Sequence, residues 1–150
     1  METPEQLQEY LRTTIPLTEA MGLRVLACSD GEVRLAAPLL GNHNDKMTAF
    51  AGSLYSLAAL AGWSLLQRLV TVQKLEMQVA IFTGEVVYTR PVRGEFSAHV
   101  RIGPEIAETL LSELRTKRRG RVALEIMVED DEGVAMRLAA RYALFPATPA

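Results

Sequence analysis

Hydrophobic residues recur along the chain with two periods, one typical of helices and the other typical of strands. Helical spacing over residues 3–21 predicts an N-terminal helix with an interruption at Pro16, and Thr3 with Gln6 forms a capping box at its start. Helical spacing returns over residues 104–119. Alternation of apolar and polar residues predicts strands at 23–28, 33–37, 79–88, 96–102, 122–128 and 134–142.

The order of these elements predicts an α+β fold. The last four strands follow one another with a single helix inserted, and residues 130–133 between the final two are typical of a hairpin turn. We therefore expect these four strands to pair as an antiparallel meander, with a bulge at Gly84 in the first of them.

A run of 21 residues without a charge, from Met47 to Gln67, is long enough to span a bilayer. Between Ala49 and Leu66, however, ten of the eighteen residues are Ala, Gly or Ser, and no basic cluster flanks the segment closely. A helix that is apolar on all sides is buried either in lipid or in protein. Because the surrounding strands each have one apolar face, we predict a central helix over about 48–72 with an antiparallel sheet wrapped around it.

Composition narrows the class of protein. We expect residues 1–150 to form a single domain. Sixteen Lys and Arg against eighteen Asp and Glu argue against nucleic-acid binding. A single cysteine and a polar, acidic N-terminus predict a cytoplasmic protein without a membrane segment. Two histidines and one cysteine without metal-ligand spacing predict no metal and no other cofactor.

Three segments of the sequence resemble the thioesterase-like family named after the YiiD C-terminal domain. They are APLLGNHNDKMTAFAGSLYSLAALAGW over residues 37–63, Ile-Pro-Leu with Met-Gly over residues 15–22, and YTRPVRG over residues 88–94. The resemblance extends over roughly residues 10–145 and implies a hotdog fold. It also implies an acyl thioester substrate, carried by coenzyme A or acyl carrier protein, and a homodimer or higher homo-oligomer with its sites between subunits.

The chain departs from the commoner small hotdog thioesterases at the start of the central helix. Those enzymes carry a His-Gly-Gly turn there and an acidic residue further along the helix. Here the turn is Phe50-Ala51-Gly52, and Ala59 stands where the carboxylate is expected. Hydrolysis needs a base to activate water, and Asp45 is the nearby carboxylate that could serve. Asp45 is equally typical of a turn or cap.

The start of the central helix is suited to stabilising negative charge. Backbone N–H groups near Gly52 and Ser53 would form an oxyanion hole for a thioester carbonyl. Asn44 and Asn42 could add amide donors, although both are also typical turn residues; we favour a functional role for Asn44 and a turn role for Asn42. The substrate pocket is predicted to contain Met47, Phe50 and Tyr55, whereas His43, which could orient the substrate, is expected to be solvated.

Three functions remain open from the sequence. Family members are linked to decarboxylation of malonyl-acyl carrier protein, which supplies acetyl primers for fatty acid synthesis, and the missing base favours this reaction. Hydrolysis and non-catalytic thioester binding are the alternatives. Arg118 and Arg119, in a basic segment, are predicted to dock an acidic carrier protein or phosphates, or else to be a solvated helix end. Arg90 and Arg93 are candidate phosphate contacts.

Overall fold

A computed structural model describes residues 1–147 of the chain; residues 148–150, which the single-domain prediction includes, lie outside the described residues. Four helices and six strands occur in this part of the chain. In chain order they are α1 (Pro4–Thr14), α2 (Leu17–Ala20), β1 (Arg24–Cys28), β2 (Glu32–Ala37), α3 (Ala51–Val72), β3 (Met77–Tyr88), β4 (Phe96–Arg101), α4 (Pro104–Lys117), β5 (Gly120–Asp130) and β6 (Gly133–Pro146).

The six strands form one antiparallel sheet in the order β1-β2-β4-β5-β6-β3. The long helix α3 packs against one face of the sheet and contacts β2, β3, β4, β5 and β6. Alternate residues of β5, from Val122 to Val128, are buried beneath it, as the alternation predicted. The α+β hotdog arrangement of a sheet around a long central helix is therefore confirmed.

The expected four-strand meander is confirmed for its last three strands, since β4 pairs with β5 and β5 pairs with β6, but it is wrong for the first. That strand, β3, does not pair with β4 but lies at the far edge of the sheet beside β6, and among these four strands only β5 and β6 form a direct hairpin. The bulge in β3 falls between Ile81 and Thr83 rather than at Gly84. We expected β3 to pair with β4 because the two strands follow one another in the sequence. The segment between them instead runs past the start of α3, where the backbone N–H of Ala49 donates to the Val92 carbonyl at 2.8 Å.

The single N-terminal helix predicted over 3–21 is two helices. Its capping box is present, because the Thr3 hydroxyl accepts from the Gln6 N–H at 3.2 Å and the Gln6 side chain accepts from the Thr3 N–H. Pro16 ends the first helix, since proline disfavours helical geometry in the residue before it, and Ile15 is accordingly extended. The interruption expected at Pro16 is thus a complete break.

The central helix begins at Ala51, three residues after the predicted start at 48, because Ala49 is held in an isolated β-bridge with His43. Small residues allow α3 to approach the sheet closely. A Cβ on Gly62 would overlap the hydroxyl of Tyr142, which donates to the Ala59 carbonyl at 2.8 Å. Within residues 1–147, no helix has the length and apolarity needed to cross a membrane.

Candidate functional site

The first turn of α3 presents two backbone donors without an intramolecular acceptor. Phe50 is the N-cap residue and provides no side-chain cap. The Ser53 N–H, one of the donors expected from the sequence, is taken up by the Phe50 carbonyl at 2.9 Å. Within the described residues, the N–H groups of Ala51 and Gly52 donate to no acceptor. These two donors, at the positive end of the helix dipole, can stabilise an anionic oxygen.

Asn44 shapes the loop that leads into this turn. Its Oδ1 accepts from the N–H groups of Lys46 and Thr48 at 2.9 and 3.1 Å, and its Nδ2 donates to the Thr48 hydroxyl at 2.9 Å. Met47 takes a left-handed conformation between them, with φ of 59°. The Nδ2 of Asn44 thus keeps one further hydrogen for a ligand, so its role as a substrate donor stays a prediction.

Asn42 is a loop-forming residue. It is buried, and its Nδ2 donates to the carbonyls of Met21 and Pro38 at 2.8 and 2.9 Å. Its own carbonyl accepts from the Phe50 N–H at 2.7 Å, which fixes the residue that caps α3. Since both hydrogens of the amide are used, a contact between Asn42 and substrate would require breaking the loop's own hydrogen bonds.

Three ionisable side chains, those of His43, Asp45 and Lys46, lie in the same loop. Asp45 is about four-fifths exposed and pairs with the neighbouring Lys46 at 3.0 Å. His43 is exposed, and its backbone pairs with Ala49, two residues before α3 begins. We expected His43 to be merely solvated. Its proximity to the helix start could not be read from sequence spacing, because it depends on the loop folding back on itself.

Apolar and aromatic side chains lie near the start of α3. The ring of Phe50 lies over Gly52, where a Cβ would overlap it. Phe50 and Met47 are each more than half exposed, and Tyr55, one turn further along α3, is partly buried. Of the three predicted pocket residues, Phe50 is the N-cap of α3, Tyr55 lies within α3 and Met47 lies in the preceding loop, and their role in binding substrate stays a prediction.

Tyr88, at the end of β3, is a site residue that the sequence analysis missed. Its hydroxyl donates to the Ala51 carbonyl at 3.0 Å. Burial, and secondarily the nearby Tyr55, raise the pKa of Tyr88, so its hydroxyl stays protonated near neutral pH. Tyr88 begins the family-like segment YTRPVRG, but its contact with Ala51 could not be read from the sequence, because 37 positions separate the two residues.

The two candidate phosphate-binding arginines have different surroundings. Arg90 binds both oxygens of Asp130 and contacts Glu132 at 3.3 Å, so it holds the β5–β6 hairpin. It also holds the pKa of the Asp130 carboxyl below its usual range. Arg93 is exposed and follows Val92, the residue that accepts from the Ala49 N–H. Of the two, Arg93 is the one left accessible at the entrance to α3.

The predicted docking residues lie towards the other end of α3. Arg118 ends α4 in a left-handed conformation, and both Arg118 and Arg119 are exposed. The next residue, Gly120, pairs with Leu144, which in turn pairs with Val79 near the beginning of β3. Arg118 and Arg119 therefore lie near the C-terminal end of α3. Because α3 has 22 residues, this end of the helix is about 33 Å from its first turn.

Comparison with known proteins places these features in a family. The family model described as "Putative thioesterase (yiiD_Cterm)" matches residues 4–146. The fold is similar to that of a putative thioesterase from Shewanella oneidensis, with 28% identity, coverage of 95% of this chain and 97% of that one, and a TM-score of 0.86.

Two further solved structures have a fold similar to that of this chain. A protein of unknown function and probable thioesterase from Pseudomonas aeruginosa shares 26% identity at a TM-score of 0.81, over 98% of this chain and 99% of that one. A protein of unknown function from Chlorobaculum tepidum has the same fold, with 24% identity and a TM-score of 0.88 over 97% and 98% of the two chains. Because the family match covers nearly the whole chain, the protein belongs to the YiiD_C family of putative thioesterases.

Proposed function

We propose that this protein is an enzyme that binds an acyl thioester with its carbonyl oxygen against the N–H groups of Ala51 and Gly52. The observation that carries the proposal is the pair of unpaired donors at an uncapped helix start. A thioester carbonyl gains negative charge as it reacts, and fixed N–H donors stabilise that charge more strongly in the transition state than in the ground state.

The reaction that best fits these groups is decarboxylation of a malonyl thioester carried by acyl carrier protein. Loss of CO2 breaks the bond between the carboxylate and the methylene carbon and leaves its electron pair in an enolate, whose charge lies on the thioester oxygen. The enolate carbon then takes a proton from solvent to give the acetyl thioester. This reaction needs the oxyanion donors but no base to activate water, and Asp45 is turned to solvent beside Lys46.

Hydrolysis is the second candidate, favoured by the position of His43 and by the names of the relatives. In that reaction water attacks the thioester carbonyl, the same two donors stabilise the tetrahedral oxyanion, and the thiol leaves. The bridge between His43 and Ala49 holds the backbone of His43 near the helix start, and the imidazole, whose Nδ1 lies 3.2 Å from the Asn44 carbonyl, is the candidate base that takes the proton from water.

One experiment separates the two reactions. Malonyl-acyl carrier protein and malonyl-CoA are incubated with the wild type and with His43→Gln, and intact mass and free thiol are followed. We expect loss of CO2 with the thioester retained, at a rate that His43→Gln leaves nearly unchanged. Thiol release that depends on His43 would instead establish hydrolysis. Saturable binding of both thioesters without turnover would leave a non-catalytic binding module.

We also propose that the enzyme is a homodimer or higher homo-oligomer joined through β3. This strand is at the edge of the sheet, and its exposed Val87 and Tyr88 lie beside the first turn of α3. An unpaired edge strand is a template for pairing with another strand. Antiparallel pairing of two copies of β3 would bring Arg118 and Arg119 of one subunit towards the first turn of α3 in its partner.

The mass of the assembly in solution tests this interface. Val87→Lys places a charge on the edge and should reduce the measured mass in light scattering towards that of one chain. Ile106→Lys, at an equally exposed apolar position on α4, is the matched control and should leave the mass unchanged. A monomeric wild type, or an unaltered mass for Val87→Lys, would exclude pairing through β3.

The docking role proposed for Arg118 and Arg119 has its own test. Reversing both charges to Glu should weaken binding of acyl carrier protein at low salt, because exposed charges act mainly through long-range attraction. Arg137→Glu, on the outer side of β6, is the control. Equal affinities for the double variant and the wild type would contradict the docking role.

A further inference from the structure

A cavity of about 420 Å³ lies at the C-terminal half of α3, between that helix, α4 and the turn that joins β1 to β2. The turn is anchored where the Ile102 N–H donates to the Gly31 carbonyl at 2.9 Å. The cavity walls are largely aliphatic, formed by Leu69, Val72, Ile102, Ala107 and Leu111. Arg68, which also lines it, is 16 residues and so about 24 Å along α3 from Gly52.

Arg68 is a buried cation with incomplete pairing. It is 7% exposed, and its Nη1 donates to Asp30 Oδ1 at 2.9 Å. The Asp30 side chain is 90% exposed, so this partner lies mostly in solvent. Within the described residues, the buried Nε of Arg68 has no hydrogen-bond partner. A buried guanidinium whose carboxylate partner lies mostly in solvent is costly, and an anion in the cavity that Arg68 lines would offset that cost.

The remaining polar groups of the cavity restrict the kind of anion. Arg115, on α4, donates to Gln73 at the end of α3 at 2.6 Å and adds a second positive charge. The carboxylates of Asp30 and Glu108 also line the cavity, so its four charged groups sum to zero. The two carboxylates disfavour a phosphate or other polyanion, so a ligand that binds Arg68 should carry no more than one negative charge.

We propose that this cavity is a second binding site, which takes an aliphatic monocarboxylate with its carboxylate on Arg68 and its hydrocarbon chain against the walls of α3 and α4. The volume is within the range of small-molecule sites, roughly 300–1,000 Å³. Asp30 can leave the guanidinium for solvent because its side chain is already exposed. The site is independent of the thioester reaction proposed for the other end of α3.

Nuclear magnetic resonance gives a direct readout on the full chain. Octanoate is titrated into 15N-labelled protein while the side-chain Nε–H signal of Arg68 and the backbone amides are followed. We expect saturable shifts at Arg68 and along residues 102–111, and no such shifts with octanamide, which has the same chain without the charge. Sulfate, an anion without a chain, should also fail to saturate the site.

Matched variants test the assignment. Arg68→Met keeps the unbranched stem of the side chain and strands no buried charge, since Asp30 is exposed; it should weaken octanoate binding at least tenfold. Arg137→Met, at an exposed position on β6, should leave it unchanged. Equal binding of octanamide, shifts confined to the first turns of α3, or no saturable shift at millimolar octanoate would overturn the proposal. If Arg68→Met does not fold, the comparison of ligands on the wild type still decides.

Discussion

Replacing Ala51 by proline removes one proposed oxyanion donor while leaving the fold intact. Proline lacks the backbone N–H, and the Ala51 N–H donates to no acceptor within residues 1–147. The preceding Phe50 already has φ of −62° and ψ of 134°, the extended geometry that a following proline favours. Proline also occupies the first position of α1 and α4, at Pro4 and Pro104.

The expected effects on stability and catalysis therefore have opposite signs. Restricting the unfolded chain should raise the free energy of unfolding by about 0.4–1 kcal/mol. Losing one preorganised donor should lower kcat by about 10²–10³-fold, or about 2.7–4 kcal/mol in the activation free energy. KM should change little, because the donor acts mainly on charge that develops in the transition state.

The assay is steady-state turnover of malonyl-acyl carrier protein, followed by intact mass, together with thermal unfolding. Ala51→Ser is the control, since it keeps the N–H and adds only a small side chain at an exposed position. A kcat within a few-fold of the wild type in a folded Ala51→Pro would refute the oxyanion role. A rise in KM with kcat unchanged would show that the proline ring merely obstructs the substrate.

Two further predictions concern the fold around the site. Gly62→Ala should lower the free energy of unfolding by about 1–3 kcal/mol in urea titrations, because the new Cβ displaces the Tyr142 ring; Gly94→Ala, where nothing lies within 4 Å of a Cβ, should cost much less, and equal losses would contradict this packing. Arg90→Gln should lower Tm at neutral pH, and the difference in Tm from the wild type should shrink as the pH falls below about 4. The pKa of Asp130 is lower in the folded state than in the unfolded state. The ion pair with Arg90 therefore stabilises the fold above the unfolded-state pKa, and this stabilisation is lost as the carboxylate is protonated. A Tm difference independent of pH would refute the role of this ion pair.

Local physical chemistry accounts for the elements that were predicted correctly. The Thr3–Gln6 capping box, the break at Pro16 and the alternation along β5 each depend on residues close together in sequence. The long uncharged run could be assigned to a buried helix because its small residues suit close packing rather than lipid. The ends of the helices were less predictable. Ala49, for example, pairs with His43 in a β-bridge and so lies outside α3.

The candidate site was predicted only in part. The helix start and its apolar neighbours, such as Phe50, follow from the uncharged run and the family resemblance. Tyr88 and His43 were not assigned to it, because their positions depend on contacts made by the edge strand and by a folded-back loop. Arg90 and Arg93, three residues apart, differ because the Asp130 carboxylate that pairs with Arg90 belongs to a strand 40 positions away.

The types of element, the burial of the central helix and the family could be predicted from the amino-acid sequence, since these depend on periodicity, side-chain size and local motifs. Only the folded chain shows that β3 lies beside β6 rather than β4, and which donors at the start of α3 remain free. It also shows that Arg68 is buried beside a cavity. The physical reason is that strand order and the pairing of polar groups depend on contacts between residues distant in sequence, which periodicity does not encode.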